Sequence, residues 1–499
     1  MSHSARTASA YHRLTGYRRG RLTPHALDWA HQPRPRKPYP QLDRIPFPTD
    51  LSMPEMDYAD LVRQAAQSVS APQTDLDLNT LAALFHLTHA VTARSMHGDQ
   101  PFYYRSIASA GALYPFEMYL AVHDVQGVAA GVYHYDLFDF ALTRLREGAV
   151  PMMPSSVRRV AATIYISGIF FRSAWKYRSR AYRYVLLDAG HLLENLRLAL
   201  TALGLGFCVH TDFDDARVAA LLGLDEGREG GLVCVHLFSN EGGKGRLAPV
   251  ADPSPLPNDI RDASRVSARE VTYAEIQEIH HAGYGAAPTA TGRERQPVSP
   301  GWHPRAWIDL PPSSPAGHTD YARLLWQRRS RRNFVSQSIS MDHLAAFLDP
   351  MATSVAGTCM PTGEIVAIGL LAGAGMPVSP GAYLFDPHGR RLGQLAGGAM
   401  LESMARACLD QMWLKNAAFH LLFVSDPKAL DQAWGARGYR YAMLEAGRLG
   451  QQAYLAATAL GWGACGIGAI YDREAADLLG LTRDGALLYL VGIGPLKGR

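Results

Sequence analysis

The sequence predicts two fused copies of one domain that contains both helices and strands, and three observations lead there. At 499 residues the chain is too long for one ordinary hydrophobic core, so two domains are expected, with room left for arms and linkers. The stretch RAYRYVLLDAGHLLENLRLALTALGLGFC, from Arg180, aligns without gaps on RGYRYAMLEAGRLGQQAYLAATALGWGAC, from Arg437, at a constant offset of 257 residues. Tyr182/Tyr439, Arg183/Arg440, Tyr184/Tyr441, Gly190/Gly447, Gly204/Gly461, Gly206/Gly463 and Cys208/Cys465 are identical pairs, and the match runs on to LLGL at Leu221 and Leu478. Duplication is the economical cause. Finally, a strand-like run closes each copy, GLVCVHLF from Gly231 and ALLYLVGIG from Ala486.

Taken in chain order, residues 1–50 are a Pro- and Arg-rich arm, in which HQPRPRKPYPQLDRIPFP should be extended backbone lying on a surface. The opening MSHSARTASAYHRLTGYRRGRL lacks the apolar stretch of a signal peptide, and no run reaches transmembrane length. A cytoplasmic protein away from membranes is expected, with an organelle transit peptide as the alternative. Residues 51–250 form the first domain. Leu187–Leu203 is apolar almost all round at helical spacing, which predicts a buried helix stopped by Gly204. Residues 251–318 are a Pro-, Ser- and Gly-rich linker with one helical patch, VTYAEIQEIHHAGY, and 319–499 form the second domain.

Hydrophobic residues make up 47% and charged residues 19%, which suits packed cores. A net charge of +4 without a basic, aromatic-interleaved stripe argues against a nucleic-acid partner. The five cysteines show neither CxxC nor Cys/His ligand spacing, so no metal centre and no disulfide framework are expected. His134, His280 and His281 lack partners at ligand spacing, and Arg183/Arg440 and Tyr184/Tyr441 occur in both copies; all of these are expected to be structural.

YYRSIASAGALYPFEMYLAV, followed by GVYHYDLFDFALTRL, closely resembles the signature of the SagB/ThcOx-type dehydrogenases, a branch of the nitroreductase superfamily. QRRSRRNF at Gln327–Phe334 resembles the arginine motif that opens nitroreductase domains generally. The resemblance implies an α+β fold, a sheet flanked by helices, in which two subunits hold FMN at their interface; a tandem chain would build that dimer internally. It implies that Arg328, Arg329, Ser330 and Arg332 serve the FMN phosphate, ribityl chain and pyrimidine edge, a role suited to guanidinium forks. Lys497 and Arg499 would form a second phosphate clamp, with Lys244 and Arg246 as their first-half counterparts. Ser109, Ala110, Gly111, Ala112 and Leu113 would approach the ring from the other half, where small residues let backbone lie against a plane. Gly466, Ile467 and Gly468 would present backbone N–H groups to the flavin. Lys176 and Tyr177 match the Lys-Tyr pair of azoline-oxidising members and could move a proton if the site lowers their pKa values.

The two halves have degenerated in a complementary way. The first keeps SAGALYP and Lys176–Tyr177 but has Val209, His210 and Thr211 where the second has Gly466, Ile467 and Gly468, and it lacks RRSxR. The second has Ala433 and Trp434 at the Lys-Tyr positions, and its nearest equivalent of SAGALYP, CMPTGEIVAIGL, keeps only Pro361 and Gly363. One FMN per chain is therefore expected. The resemblance points to an FMN-dependent dehydrogenase or oxidase acting on an azoline or related unit of a peptide-derived natural product. In that chemistry a hydride leaves a substrate carbon, Tyr177 or Lys176 takes the proton, and oxygen or another acceptor reoxidises the flavin. A peptide or carrier-bound substrate, biosynthetic partner proteins and a monomeric pseudo-dimer or higher homo-oligomer go with it. The alternatives are an NAD(P)H-dependent nitro or quinone reductase and a non-catalytic peptide-binding partner.

Overall fold

Each half lays out seven antiparallel strands in the same spatial order, as a computed structural model describes them for residues 4–22, 25–39, 41–66, 74–98, 100–148, 159–240, 253–285, 300–312, 317–353 and 365–498. In the first sheet that order is Arg44–Pro46, Ala141–Glu147, Gly131–Asp136, Phe116–Val122, Val160–Ile169, Glu229–Phe238 and Phe207–His210. In the second it is Ala306–Asp309, Arg391–Gly397, Gly381–Asp386, Ala367–Ala372, Phe419–Ser425, Ala486–Gly494 and Gly463–Ile467. The two strand-like runs of the sequence are thus central strands. Both are buried along their whole length, which is why they read as continuous apolar stretches rather than alternating ones.

The repeat itself forms the helices Ala181–Ala202 and Arg437–Ala459, buried nearly throughout and packed on each other. The first ends as expected, with Leu203 capping it and Gly204 left-handed at φ 65°. A Cβ on Gly190 would lie 2.2 Å from the Leu444 carbonyl oxygen, and one on Gly447 would lie 2.2 Å from that of Leu187. Leu187 and Leu444 are themselves equivalent in the repeat, so a pseudo-twofold axis runs through this crossing. The shared arginines obey it. Arg180 and Arg183 hold Asp472 at 2.7 and 2.6 Å, while their counterparts Arg437 and Arg440 hold Asp215, the residue equivalent to Asp472. The expectation that Arg183 and Arg440 are structural fits these cross-domain pairs.

The fold also reveals repeat segments at other offsets. DYADLVRQ at 57–64 matches DYARLLWQ at 320–327, and GVYHYD from Gly131 matches GAYLFD from Gly381 with a bulge at the same step, Val132/Tyr133 and Ala382/Tyr383. A hairpin of Val91–His97 and Gln100–Arg105, between these segments in the first half, shifts the register.

Arm and linker are more engaged than expected. Ala8–Leu14 is a helix whose first N–H groups donate to Asp431, and its Tyr11 ring sits between those of Tyr182 and Tyr439, at 5.9 and 5.4 Å. Lys37, placed by the sequence on an exposed segment, is buried; its ammonium donates to Glu229 at 2.5 Å and to Tyr119 Oη at 2.7 Å. Arg44–Pro46 and Ala306–Asp309 supply the outer strand of each sheet, so both domains begin earlier than residues 51 and 319. The linker helices Asn258–Asp262 and Ala274–Ala282 bury Ile260, Ile276, Ile279 and His280. Among the described residues no helix is long and apolar enough to cross a membrane.

Candidate functional site

One cavity opens where the halves meet. Ala108–Gly111, Tyr177, Tyr184, Leu187, Asp188 and His191 line it from the first half; Ser330, Arg332, Gln411, Tyr454, Cys465–Ala469 and Tyr489 line it from the second. The small-residue segment and part of the arginine motif, more than 200 positions apart in sequence, face the same space.

The first wall is a tight turn with left-handed backbone at Gly111 (φ 65°), Ala112 (φ 54°) and Tyr114 (φ 44°). For the two non-glycine residues that conformation is strained, so something must hold it. Asp188, on the repeat helix, does so. It accepts the Ser109 hydroxyl and the Ala110 N–H (3.2 Å), while Ser109 Oγ accepts the Tyr114 N–H at 2.9 Å. A Cβ on Gly111 would come within 2.9 Å of Tyr177 Oη and 3.2 Å of Lys176 Nζ, so the Lys-Tyr pair packs directly against this turn. Ala112 and Leu113 do not line the cavity; Leu113 packs against the core instead.

On the second wall the arginine motif divides. Arg328 is buried and donates to the carbonyls of Arg105 (2.9 Å) and Ser106 (2.9 Å), and Arg329 donates to those of Trp326, Arg328 and Thr92. Both guanidinium groups tie the second half to the first and lie outside the cavity lining, which corrects the expectation that they face it. Ser330, bonded to Tyr454 Oη at 3.0 Å, and Arg332, over the Trp413 ring at 5.3 Å, do line or border the opening. Lys497 is exposed, and its N–H donates to the Asn333 carbonyl, so the chain end runs beside the arginine motif. Arg499, Lys244, Arg246, Pro361 and Gly363 lie outside the described residues.

Gly466 and Ile467 belong to a strand rather than a free loop, and the Gly466 N–H is taken by Tyr454 Oη at 2.7 Å. The smallness of Gly466 and Gly468 has a direct use. A Cβ on Gly466 would meet Tyr489 Oη at 1.7 Å, and one on Gly468 would meet the Tyr184 ring at 2.5 Å. Tyr184, expected to be structural, therefore lines the cavity together with the glycine it packs on.

Burial pushes the Asp188 carboxyl up to about 7, against the pull of the Ser109 and Ala110 hydrogen bonds. It pushes His191 down to about 4, where Gln451 and Tyr489 hold the neutral ring. The Tyr177 phenol is shifted upward by burial and by neighbouring Tyr184 and Asp188, which opposes the deprotonation that a proton acceptor needs. Asp188 escaped sequence reasoning, although an acid at the equivalent Glu445 was a visible signal.

The pseudo-symmetric position is built differently. Ala65 and Ala66 stand for Arg328 and Arg329, Arg197 for Tyr454, Glu445 for Asp188 and Arg448 for His191. Glu194 lies between Arg197 (2.9 Å) and Arg448 (3.3 Å) and accepts from Gln452 at 3.0 Å, and all of these side chains are buried. Burial opposes ionisation there, but the two guanidinium groups hold Glu194 below the usual carboxylate range.

A model of the Nitroreductase family matches residues 71–238 and 325–495, well over half of the chain. Over 179 residues the chain is 27% identical to "Putative nitroreductase MJ1384" of Methanocaldococcus jannaschii, covering 34% of this chain and 88% of that protein. Over 164 residues it is 31% identical to Trifolitoxin-processing protein TfxB of Rhizobium leguminosarum bv. trifolii, covering 30% of this chain but only 44% of that one. A crystal structure from Anabaena variabilis, described as a putative nitroreductase, superposes with a TM-score of 0.75 over 98% of this chain and 100% of that chain at 24% identity, a likeness of fold along the whole length.

Proposed function

Because this chain belongs to the nitroreductase family, we propose that it is an FMN-dependent oxidoreductase with one flavin per chain, seated in the cavity between its halves. The observation that carries this reading is the meeting of Ala108–Gly111 with Ser330, Arg332 and Cys465–Ala469 around one opening. The donor set suits the cofactor: an exposed guanidinium and a hydroxyl at one end, a wall of small residues, and buried polar groups opposite. Arg332, Ser330 and Lys497 would hold the phosphate end, and Ser109, Ala110 and Gly111 would lie along the ring. The second position, filled by Arg197, Glu194, Glu445 and Arg448, supports a single flavin. When bound, FMN supplies two-electron hydride chemistry, and the protein supplies orientation and electrostatics.

The direction we favour is oxidation of a peptide-derived substrate, introducing unsaturation such as azoline to azole. The TfxB relative, named for toxin processing, and the SAGALYP and Lys-Tyr segments support it. Lys176 and Tyr177 would position the substrate beside Gly111, and Asp188 is the group on that wall able to hold or release a proton near neutrality.

A visible spectrum with flavin quantified per chain tests the reading. One flavin per chain is expected, and Arg332→Ala should weaken its retention by about tenfold to a hundredfold, the worth of a charge-assisted hydrogen bond. Colourless protein, or two equally retained flavins, would overturn it. Rapid bleaching by NAD(P)H alone would replace the dehydrogenase by a reductase.

A further inference from the structure

A second cavity, of about 630 Å³, lies at the junction of the halves, away from the residues just described. Its floor is apolar: Tyr58 and Val62 from the helix Tyr58–Ala66, Leu310, Ala346, and Ala456, Ala459 and Leu460 near the end of the second repeat helix. Its rim carries Arg63, Asp349 and Arg390.

The pseudo-twofold axis shows what this place holds in the other half. The helix Tyr321–Gln327 repeats Tyr58–Ala66 with Trp326 at the position of Arg63. LAA at Leu81 repeats LAA at Leu344, which sets His86 against Asp349, and the GVYHYD and GAYLFD turns set Phe140 against Arg390. Phe140 and Arg390 share the same left-handed backbone, at φ 46° and 49°. In that half His86 is the shared partner: its ring lies 5.2 Å from the Trp326 indole and 5.9 Å from Phe140. Where one half packs a 39% exposed indole on the His86 ring, the other has charged residues at all three positions and a hollow beside them.

The charges do not call for an ionic ligand. Arg63 pairs with Asp60, Arg390 with Asp349, and Asp57 accepts the Ala59 and Thr319 N–H groups. Arg63, Arg390, Asp349 and Asp57 thus have counter-charges or donors within the protein, the carboxylate of Asp309 at the edge is exposed, and the floor offers apolar surface of the kind that binds rings.

We propose that this cavity is a binding site for a neutral aromatic ligand of indole size or larger, seated where Trp326 sits in the other half. The site stands on the repeat and the packing and does not depend on the flavin reading. Its volume lies within the usual range for small-molecule pockets, which occur preferentially at domain junctions.

Saturation-transfer NMR and calorimetry with indole and with the tripeptide Gly-Trp-Gly, on the full chain as purified, test the proposal. Saturable binding of indole is expected; binding of the tripeptide as well would identify a peptide side chain as the occupant, and binding of indole alone a free small molecule. Arg63→Trp, which restores the residue of the other half, and Ala459→Phe, which fills the floor, should each weaken binding by at least about tenfold. The visible spectrum should stay unchanged, which separates this site from the cavity between Gly111 and Ser330. No saturable binding to the parent protein, or undiminished binding in variants with a normal melting transition, would overturn the proposal. Should Arg63→Trp fail to fold, Ala459→Phe decides the question.

Discussion

Asp188 shows how much one buried carboxyl can govern. It fixes a turn with two strained non-glycine residues, and it is the ionisable group on the first wall whose pKa lies near neutrality. A carboxyl raised to about 7 when folded, against about 3.9 when unfolded, lends stability that is fully present below pH 4 and is lost as pH rises through 7. Asp188→Asn removes that dependence. Melting profiles should show the parent falling relative to the variant between pH 4 and 7, by up to about 4 kcal/mol, and running parallel to it above pH 8. Parallel profiles across the whole range would mean that the carboxyl is ionised throughout.

At the scale of elements, the crossing of the two repeat helices depends on Gly190 and Gly447. Alanine is intrinsically the better helix former, by about 1 kcal/mol. Its methyl would nevertheless stand 2.2 Å from a backbone carbonyl oxygen, which cannot turn aside as a side chain could. Overpacking of this kind costs about 1–3 kcal/mol and outweighs the propensity gain. Gly447→Ala should lower the melting temperature and, by moving Asp188, His191 and Tyr454 relative to one another, also widen the cavity between them; flavin release measured by fluorescence would report the second effect. An unchanged melting temperature would show that the helices have room to separate.

The whole molecule is one domain twice over in a single chain, and its halves are joined by charges placed symmetrically about the helix crossing. Asp472 serves Arg180, Arg183 and His12, and Asp215 serves Arg437 and Arg440. Burial opposes the charge on Asp472, but the two guanidinium groups prevail and hold it well below the usual carboxylate range. A depressed carboxylate stabilises the fold above its unfolded pKa, and the contribution is lost as pH falls through the folded value. Asp472→Asn leaves two buried cations unpaired, a loss of about 3–5 kcal/mol. Urea unfolding at pH 7 should show the midpoint fall, and the gap from the parent should narrow in acid. The N-terminal arm breaks the symmetry, because its Tyr11 occupies the axis and its His12 reaches Asp472 alone.

The sequence by itself determined the duplication, the two buried helices and the central strands Glu229–Phe238 and Ala486–Gly494, because helix and strand periodicity and a gapless repeat are local properties. It missed the repeats at Asp57/Asp320 and Gly131/Gly381, whose registers differ because insertions fall in the loops between them. Only the tertiary structure decided that Arg328 and Arg329 grip backbone carbonyls while Ser330 and Arg332 turn to the cavity, that Lys37 is buried on Glu229, and that Asp188 holds the turn of the first wall. The reason is physical. A motif fixes which side chains are present, but the direction each takes and the polar group that satisfies it come from segments 78 to 237 residues away, brought close by packing alone.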